Sequence, residues 1–247
     1  MGQAHPGNIT MNYSALNAKI KAMSARLLTA HDYNQLSQLT PDEILARLDV
    51  KPSDMGQALK TAADNICRFI PDKTQREYVQ AAATNLQTGS IRYYTAQWKR
   101  LSKMNTPNQA ALRPALGAEI DLTNILWMYR LKRYHRIKGD ETYGYLIPIR
   151  HRLSRETTQQ LAQCPTAKSL LQALTHSNYA QSITTRHPEQ SLTNAITKRH
   201  KLSALRHPNT LAPTMAYIYM KRLEIQKITN MVNRGALPHT PQAFEKA

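Results

Sequence analysis

Glycine, phenylalanine and cysteine are scarce in this sequence, and long apolar runs are missing. Only 8 of the 247 residues are glycine and 2 are phenylalanine, while the helix-favouring residues leucine, alanine and glutamine are plentiful. The chain has no alternating strand pattern and no Asn-Gly or Asp-Gly hairpin signal. No apolar run reaches the roughly 18 residues of a membrane span, and the first residues lack the apolar core of a signal peptide. The composition therefore predicts an all-α protein of the cytoplasm.

Motifs of catalysis and metal binding are also missing. The two cysteines, Cys67 and Cys164, lie far apart without a CxxC spacing, which predicts free thiols in a reducing compartment. No Gly-rich phosphate loop, GxSxG or HExxH motif occurs, and the nine histidines are scattered. The paired acids Asp42-Glu43 and Asp140-Glu141 are explained by helix starts. An unrecognised enzyme is therefore the least favoured hypothesis, and we predict no catalytic residue, cofactor or metal.

Acidic residues are few: 16 Asp and Glu stand against 33 Lys and Arg, a formal net charge of +17. The excess is uneven, because residues 1–77 hold 9 basic and 8 acidic side chains whereas residues 78–247 hold 24 basic and 8 acidic. A positive field of this size favours an anionic partner, which could be nucleic acid, anionic lipid or an acidic protein surface. The plainer alternative is a basic but otherwise ordinary surface.

Most of the chain has apolar residues at helical spacing. Thr40-Pro41 marks a helix start, since an N-cap hydroxyl is followed by proline. Gly89 marks a turn between two helices, and Lys138-Gly139-Asp140 marks a helix stop. Only residues 146–153, LIPIRHRL, are predicted to be extended, because Pro148 restrains them. The segments predicted to be helical are 13–29, 73–87, 90–103, 115–136, 166–174, 189–204 and 213–233.

A weak internal repeat relates two segments that are 103 positions apart. The segment IDLTNILWMY (120–129) aligns with LEIQKITNMV (223–232), so that Asp121 corresponds to Glu224 and most apolar positions are kept. Just before these segments, Arg222 stands where the first copy has Glu119. We therefore expect a single all-helical domain over residues 1–247, with quasi-repeated units at about 1–105 and 106–247.

The stretch EIDLTNILWMYRLKRYH (119–135) has acids and an amide at its start. Asp121 and Asn124 are three positions apart, so they share one face of a helix. Helix-start electrostatics explains Glu119 and Asp121, but it does not explain Glu224, which lies well inside a helix between two aliphatic residues. A buried or half-buried acid must have a partner. We therefore predict a core helix with an acid-and-amide anchor, in which Asp121→Ala would cost about 1–3 kcal/mol of stability.

The basic end of this stretch supports an alternative hypothesis. From Arg130 to Arg152 there are seven Lys or Arg and two acids, interleaved with tyrosines at positions 129, 134, 143 and 145. Basic side chains contact phosphates and aromatic rings stack on bases, so this composition suits RNA or DNA. No helix-turn-helix, zinc-finger or RNA-binding signature accompanies the charge. A basic, helical nucleic-acid-binding protein is therefore our second hypothesis.

Three motifs in this order resemble the C/d subunit family of V-type and archaeal-type rotary ATPases. They are E-x-D-L-x-N-I from Glu119 with the following WMYRLKRY, YLIPIRHRLS at 145–154, and PTMAYIYMKRLEIQKITNMV at 213–232. The segment from Tyr13 to Leu28 is also similar to the first helix of the family. The motifs are spread over most of the chain.

The resemblance implies a non-catalytic rotor subunit built as a funnel of related helical units. Such a subunit lies at the cytoplasmic face of the membrane and couples the central stalk to the proteolipid ring for ion transport, while ATP is hydrolysed in another subunit. Basic residues could in addition contact an anionic membrane surface. The residues that we expect to anchor the structure or a partner are Glu119, Asp121, Asn124, Arg130, Lys132, Arg133 and Glu224. The three basic ones form the end expected to face a partner.

Overall fold

The computed structural model describes residues 13–84, 91–135, 137 and 139–233, and these residues form helices joined by short connections, without a strand. The all-α prediction is therefore confirmed. The α-helices are α1 (Tyr13–Ser24), α2 (Ala30–Leu36), α3 (Pro41–Leu48), α4 (Pro52–Cys67), α5 (Lys73–Thr84), α6 (Ile91–Leu101), α7 (Thr106–Arg130), α8 (Gly139–Gly144), α9 (Arg155–Gln163), α10 (Ala167–Leu174), α11 (Pro188–Arg206) and α12 (Ala212–Val232). A π-helical turn (Leu131–His135) follows α7, and a 3-10 turn (Ala180–Ser182) precedes α11. The turn predicted at Gly89 and the end predicted at Arg136 lie outside the described residues, whereas α12 ends at Val232, one residue before its predicted end.

Capping residues set the starts of the short N-terminal helices. Thr29 and Thr40 each accept a hydrogen bond from the backbone of the third helical residue, whose carboxylate accepts one from the backbone N–H of the threonine. The start predicted at Thr40-Pro41 is thus confirmed. α1 ends at Ser24 rather than at 29, because the following residues turn and Thr29 caps a separate helix. Asp49, directly after the last residue of α3, has a left-handed conformation with φ of 49°.

The central helix α7 begins at Thr106, well before the predicted start at 115. Asn105 caps it by accepting a hydrogen bond from the Asn108 N–H, and Pro107 fits the first turn, where a backbone N–H has no helical partner. Pro114 lies inside the helix, where it removes one backbone hydrogen bond. Close packing of α7 on its neighbours offsets this local cost, so the predicted boundary was wrong.

The helical run of α7 ends before Lys138-Gly139-Asp140, as predicted, because Ile137 is not helical. The π-helical turn (Leu131–His135) continues α7, and Gly139 begins the short helix α8. A Cβ at Gly139 would lie 2.9 Å from the Cα of Gln163, which is closer than ordinary Cβ contacts. The glycine therefore permits a close approach of α8 to the end of α9. Residues 146–153 form the non-helical connection between these two helices.

Two clusters of buried apolar side chains fill the interior, and α7 contributes to both. The larger cluster includes Leu16 of α1, Leu59 of α4 and Ile218 of α12, while the smaller one includes Leu122 of α7 and Leu170 of α10. The most extensive interhelical contacts are those of α11 with α7 and with α12. The larger cluster draws on helices from both sides of residue 105, so the two expected units share a core.

Two findings bear on the environment of the chain. Among the residues that the structure describes, no helix combines the length and the apolar character needed to cross a membrane. Cys67 is buried and Cys164 is half-buried, and both are free thiols. Burial raises the pKa of the Cys67 thiol to about 11, so this thiol is protonated at neutral pH.

Candidate functional site

Polar side chains of α7 lie inside the protein. Every residue from 115 to 125 is buried, so this part of the helix has no solvent-exposed face. Glu119, Asp121 and Asn124 are only 4%, 1% and 3% exposed. A buried polar group is tolerated where hydrogen-bond partners or counter-charges replace water. Each of these three residues has such partners, and they come from distant parts of the sequence.

Asp121 fastens the connection between α8 and α9 to the central helix. Its Oδ2 accepts hydrogen bonds from the backbone N–H of Arg152 at 2.7 Å and of Leu153 at 3.2 Å, and from the Tyr179 hydroxyl at 2.8 Å. Its Oδ1 accepts one from the backbone N–H of His151 at 3.3 Å. Three successive N–H groups thus surround one carboxylate, as in the anion-binding concavities formed by turns. Burial, followed by the Asp121 charge, raises the pKa of Tyr179, which keeps its hydroxyl a donor.

Asn124 and Gly117 hold the same connection at two further points. The Asn124 amide donates to the Ile147 carbonyl at 3.1 Å and accepts from the Ile147 N–H at 2.9 Å, so it satisfies a backbone segment that has no helical partner. At Gly117, a Cβ would lie 2.5 Å from Cγ of the His151 ring, so a larger residue would displace the imidazole. The spacing of Asp121 and Asn124 therefore places both side chains along residues 146–153.

Glu119 connects α7 to three other helices. Its carboxylate lies 2.8 Å from His200 Nε2 of α11, accepts from the Tyr94 hydroxyl of α6 at 3.2 Å, and lies 3.8 Å from Arg222 Nη1 of α12. The His200 ring also stacks on Tyr219, with ring centroids 4.4 Å apart. Burial opposes ionisation of Glu119, but His200, Arg222 and Tyr94 together hold the pKa of its carboxyl below the usual value.

Arg222 occupies the repeat position of Glu119, and the two side chains meet in the interior. Arg222 is 3% exposed, and its Nη2 donates to the Ala82 carbonyl at 2.6 Å and to the Tyr93 hydroxyl at 3.0 Å. The guanidinium also lies 5.5 Å from the centroid of the Tyr93 ring. Two acids at these corresponding positions would repel each other, whereas an acid and a base neutralise one another.

Glu224, which aligns with Asp121, receives a backbone N–H in the same way. Its Oε2 accepts from the Leu28 N–H at 2.7 Å, and its Oε1 pairs with Lys221 on the preceding turn of α12. The Glu224 side chain is buried, and the bond ties α12 to the connection between α1 and α2. Both aligned acids therefore lie on a long helix and bind the backbone of a non-helical segment.

The basic residues after the anchor have three different environments. Arg130 forms a two-point ion pair with Glu189, with Nε and Nη2 at 3.1 and 2.6 Å from the same carboxylate oxygen. Lys132 is 6% exposed and donates to the Ala162 carbonyl at 2.6 Å, and burial lowers its pKa. Arg133 is exposed. The expectation that all three face a partner is wrong for Lys132, because the π-helical turn directs it against the end of α9.

Four partners of these anchors were missed from the sequence: Tyr94, Tyr179, His200 and Arg222. They lie far along the chain from the residues that they contact, and no short motif links them. One signal did exist, because a base at Arg222 aligned with an acid at Glu119 indicates a charge pair. That alignment was interpreted only as a mismatch in the repeat.

Little open space remains beside the Glu119 cluster. A cavity of about 10 Å³, bordered by Glu119, His200 and Arg222 among others, is no larger than the space of one water. Within the described ranges, no group of three or more His, Cys, Asp or Glu is placed to hold a metal ion. The cluster is closely packed, and its geometry serves to hold helices together.

The comparison with protein families matches residues 87–234 to the family described as ATP synthase (C/AC39) subunit. This range is more than half of the chain and includes α6 to α12, and therefore Glu119, Asp121, Asn124 and Glu224. The chain belongs to this family of V-type ATP synthase subunits, and the resemblance drawn from its sequence motifs is confirmed. The segment from Tyr13 to Leu28 lies outside the matched range. Neither the curated proteins nor the solved structures gave a significant match.

Proposed function

We propose that the chain is a non-catalytic accessory subunit of a V/A-type rotary ATPase, which couples the central stalk to the proteolipid ring for ion transport. The family match over residues 87–234 is the observation that carries this proposal. Membership identifies a subunit of an ATP synthase. The coupling role and the two partners go further, and they rest on the resemblance together with the physical character of the helical body.

A subunit that transmits torque must not deform under load. Glu119 ties α6, α7, α11 and α12 together, while Asp121 and Glu224 hold non-helical segments against the long helices. Close-packed interiors have low compressibility and transmit strain. Separating a buried ion pair by removing one partner costs about 3–5 kcal/mol. A body fastened in this way suits an adapter that holds two partners without slipping.

The surface charge supports attachment to an anionic surface. The net charge of +17 arises almost entirely after residue 77, in the part that includes the matched family range. Acidic side chains of the stalk or the ring are suitable partners, and anionic headgroups would add about 1 kcal/mol per Lys or Arg at the surface. We place the subunit at the cytoplasmic face of the membrane, and exposed Arg133 is the partner anchor that we would test first.

The proposal includes one all-helical domain of quasi-repeated units in a funnel-like array. Two observations support this arrangement. Asp121 and Glu224, which align in the repeat, each accept a hydrogen bond from the backbone of a non-helical segment, and Glu119 contacts Arg222, which stands at the corresponding repeat position. The boundary expected near 105 coincides with Asn105, the residue that caps α7. The shared apolar core on both sides of this residue favours a single domain.

The test is a pull-down of the tagged full chain from gently solubilised membranes of the source organism, followed by quantitative mass spectrometry. Recovery of a proteolipid and of the nucleotide-binding ATPase subunits is the expected result. If only the soluble ATPase subunits are recovered, the proposed contact with the stalk stands and the proposed contact with the proteolipid ring is overturned. Recovery of neither set, with the tagged chain folded by circular dichroism, would overturn the proposal.

A charge reversal at Arg133 tests partner anchoring. Arg133→Glu should reduce recovery of one partner set, because a like charge then faces an acidic surface. Lys60→Glu is the matched control, since Lys60 is an exposed base on α4, outside the matched family range. Equal recovery with both variants would remove Arg133 from the interface.

The nucleic-acid hypothesis is tested in the same experiment. Ribosomal or nucleoid proteins that disappear after nuclease treatment would favour it over the rotary ATPase. Nucleic-acid binding should also weaken steeply as salt rises, in proportion to the number of phosphates contacted. The burial of Lys132 and the pairing of Arg130 with Glu189 reduce the free positive charge in the stretch that suggested this hypothesis.

A further inference from the structure

A groove between α7 and α11 combines a floor of small side chains with a rim of arginines. Its volume is about 120 Å³, and a space of roughly 10–15 Å³ already holds a water. The floor includes Ala111, Ala115 and Ala118, all of which are buried. Three arginines, Arg152, Arg199 and Arg206, line it together with His207. The groove is distinct from the packed cluster around Glu119.

Within the described part of the chain, none of the arginines of this groove forms an ion pair. No Asp or Glu lines the groove, and none of the ion pairs found among the described residues includes Arg152, Arg199 or Arg206. The nearby acid is Asp121, but its carboxylate is 1% exposed and is occupied by backbone N–H groups and a tyrosine hydroxyl. The groove is therefore a concentration of positive charge that is open to solvent.

His151 shows the effect of this concentration on a neighbouring group. Burial lowers the pKa of its imidazole; Asp121 opposes this, and the like charges of Arg152, Arg199 and Arg113 lower it further. Like charges held close together destabilise the fold unless an anion relieves them. An anionic ligand in the groove would relieve this repulsion.

We infer that the groove between α7 and α11 binds a phosphate group, supplied by a soluble phosphate ester or by a phosphorylated lipid headgroup. Guanidinium groups present paired N–H donors that match phosphate oxygens, and a phosphate monoester carries nearly two negative charges. A single carboxylate would neutralise fewer of the three arginines. The small floor residues leave room for the phosphate and the first atoms that carry it.

Calorimetric titration of the full chain with pyrophosphate, and separately with inositol trisphosphate, tests the inference. The groove variant is Arg199→Gln/Arg206→Gln, and the control is Arg92→Gln/Lys201→Gln, which removes the same charge from exposed positions outside the groove lining. We expect saturable binding whose Kd rises at least about 10-fold in the groove variant and stays within about 2-fold in the control. If both variants lose affinity equally, the probes bind through general attraction to the positive surface, and the inference is overturned.

Vesicle flotation separates the two sources of the phosphate. Phosphatidylcholine vesicles with phosphatidylinositol bisphosphate are compared with phosphatidylserine vesicles of the same total charge. A lipid headgroup is assigned if the chain floats with the phosphatidylinositol bisphosphate vesicles but not with the phosphatidylserine vesicles, binds soluble inositol trisphosphate, and loses both kinds of binding in the groove variant. A soluble ester is assigned if the chain binds pyrophosphate but floats with neither kind of vesicle. Absence of saturable binding to every phosphate probe, or binding only of an acidic peptide or an oligonucleotide, would overturn the inference.

A measurement on the unmodified chain avoids any effect of the substitutions on folding. Saturating pyrophosphate should raise the pKa of His151, followed by NMR, because a bound anion offsets the charges of Arg152, Arg199 and Arg113. An unchanged His151 titration in saturating pyrophosphate would place the anion elsewhere and overturn the assignment to this groove.

Discussion

Replacing Asp121 by alanine should lower the free energy of unfolding by about 4 kcal/mol. Two of its four hydrogen bonds are short, from the Arg152 N–H at 2.7 Å and the Tyr179 hydroxyl at 2.8 Å. A hydrogen bond to a charged group contributes about 1.5–3 kcal/mol, and the longer bonds from His151 and Leu153 add less. The sum exceeds the roughly 1–3 kcal/mol expected from the sequence, because one carboxylate serves four donors.

Urea unfolding followed by far-UV circular dichroism and tryptophan fluorescence measures this loss, and Trp127 on α7 is a buried reporter. Asp42→Ala is the control, because Asp42 is an exposed acid in the first turn of α3, and its removal should cost about 0.5 kcal/mol. Asp121→Asn should fall between the two, since the amide keeps one acceptor but directs N–H groups at a backbone donor. Unfolding midpoints of Asp121→Ala and Asp42→Ala that coincide, with equal denaturant slopes, would refute the reasoning.

Glu119→Gln should cost about 3–5 kcal/mol in urea unfolding, because Arg222 then keeps a buried charge without its counter-ion. The double variant Glu119→Gln/Arg222→Met should be more stable than Glu119→Gln alone. If its loss of stability equals the sum of the losses of the two single variants, the two residues do not form a pair. The depressed pKa of Glu119 means that its stabilisation is present above about pH 4.5 and is lost as pH falls through the folded pKa. The free energy of unfolding of Glu119→Gln should thus change less between neutral and acidic pH than that of the unmodified chain. If the two proteins lose stability in parallel as pH falls, Glu119 is not ionised in the folded state. Lys132→Met should change stability by less than about 1.5 kcal/mol, since a buried ammonium and its bond to a carbonyl are lost together; a larger loss would show a partner not accounted for. The raised pKa of Tyr94 means that its neutral form stabilises the fold fully below about pH 10, and this is lost as pH rises towards the folded pKa. Tyr94→Phe should therefore make alkaline unfolding shallower, and an unchanged alkaline transition would contradict this.

Predictions that depended on neighbouring residues were the most successful. Thr40-Pro41 predicted a helix start correctly, because an N-cap bond joins residues three positions apart. The starts of α11 and α12 were also close to their predicted positions. Local chemistry of this kind is encoded within one helical turn.

Predictions failed where packing overrode local preference. The central helix was predicted to begin at 115, but it begins at Thr106 and runs through Pro114, because tertiary contacts outweigh one lost backbone bond. The close contact of Gly139 with Gln163 was not foreseen, because it depends on the position of α9. Lys132 was grouped with surface bases because its burial depends on the end of α9, which the sequence around it does not reveal.

The sequence by itself determined the all-α class, the family and the presence of an acid-and-amide anchor on the central helix. These follow from composition, helical spacing and motifs, which are properties of short segments. The tertiary structure alone decided what each anchor holds: Asp121 binds three backbone N–H groups, and Glu119 meets Arg222 from 103 positions away. It also decided that Arg152, Arg199 and Arg206 line one groove in which the described residues include no acid. A charge has a partner only when folding brings two distant segments together, and sequence spacing does not encode that distance.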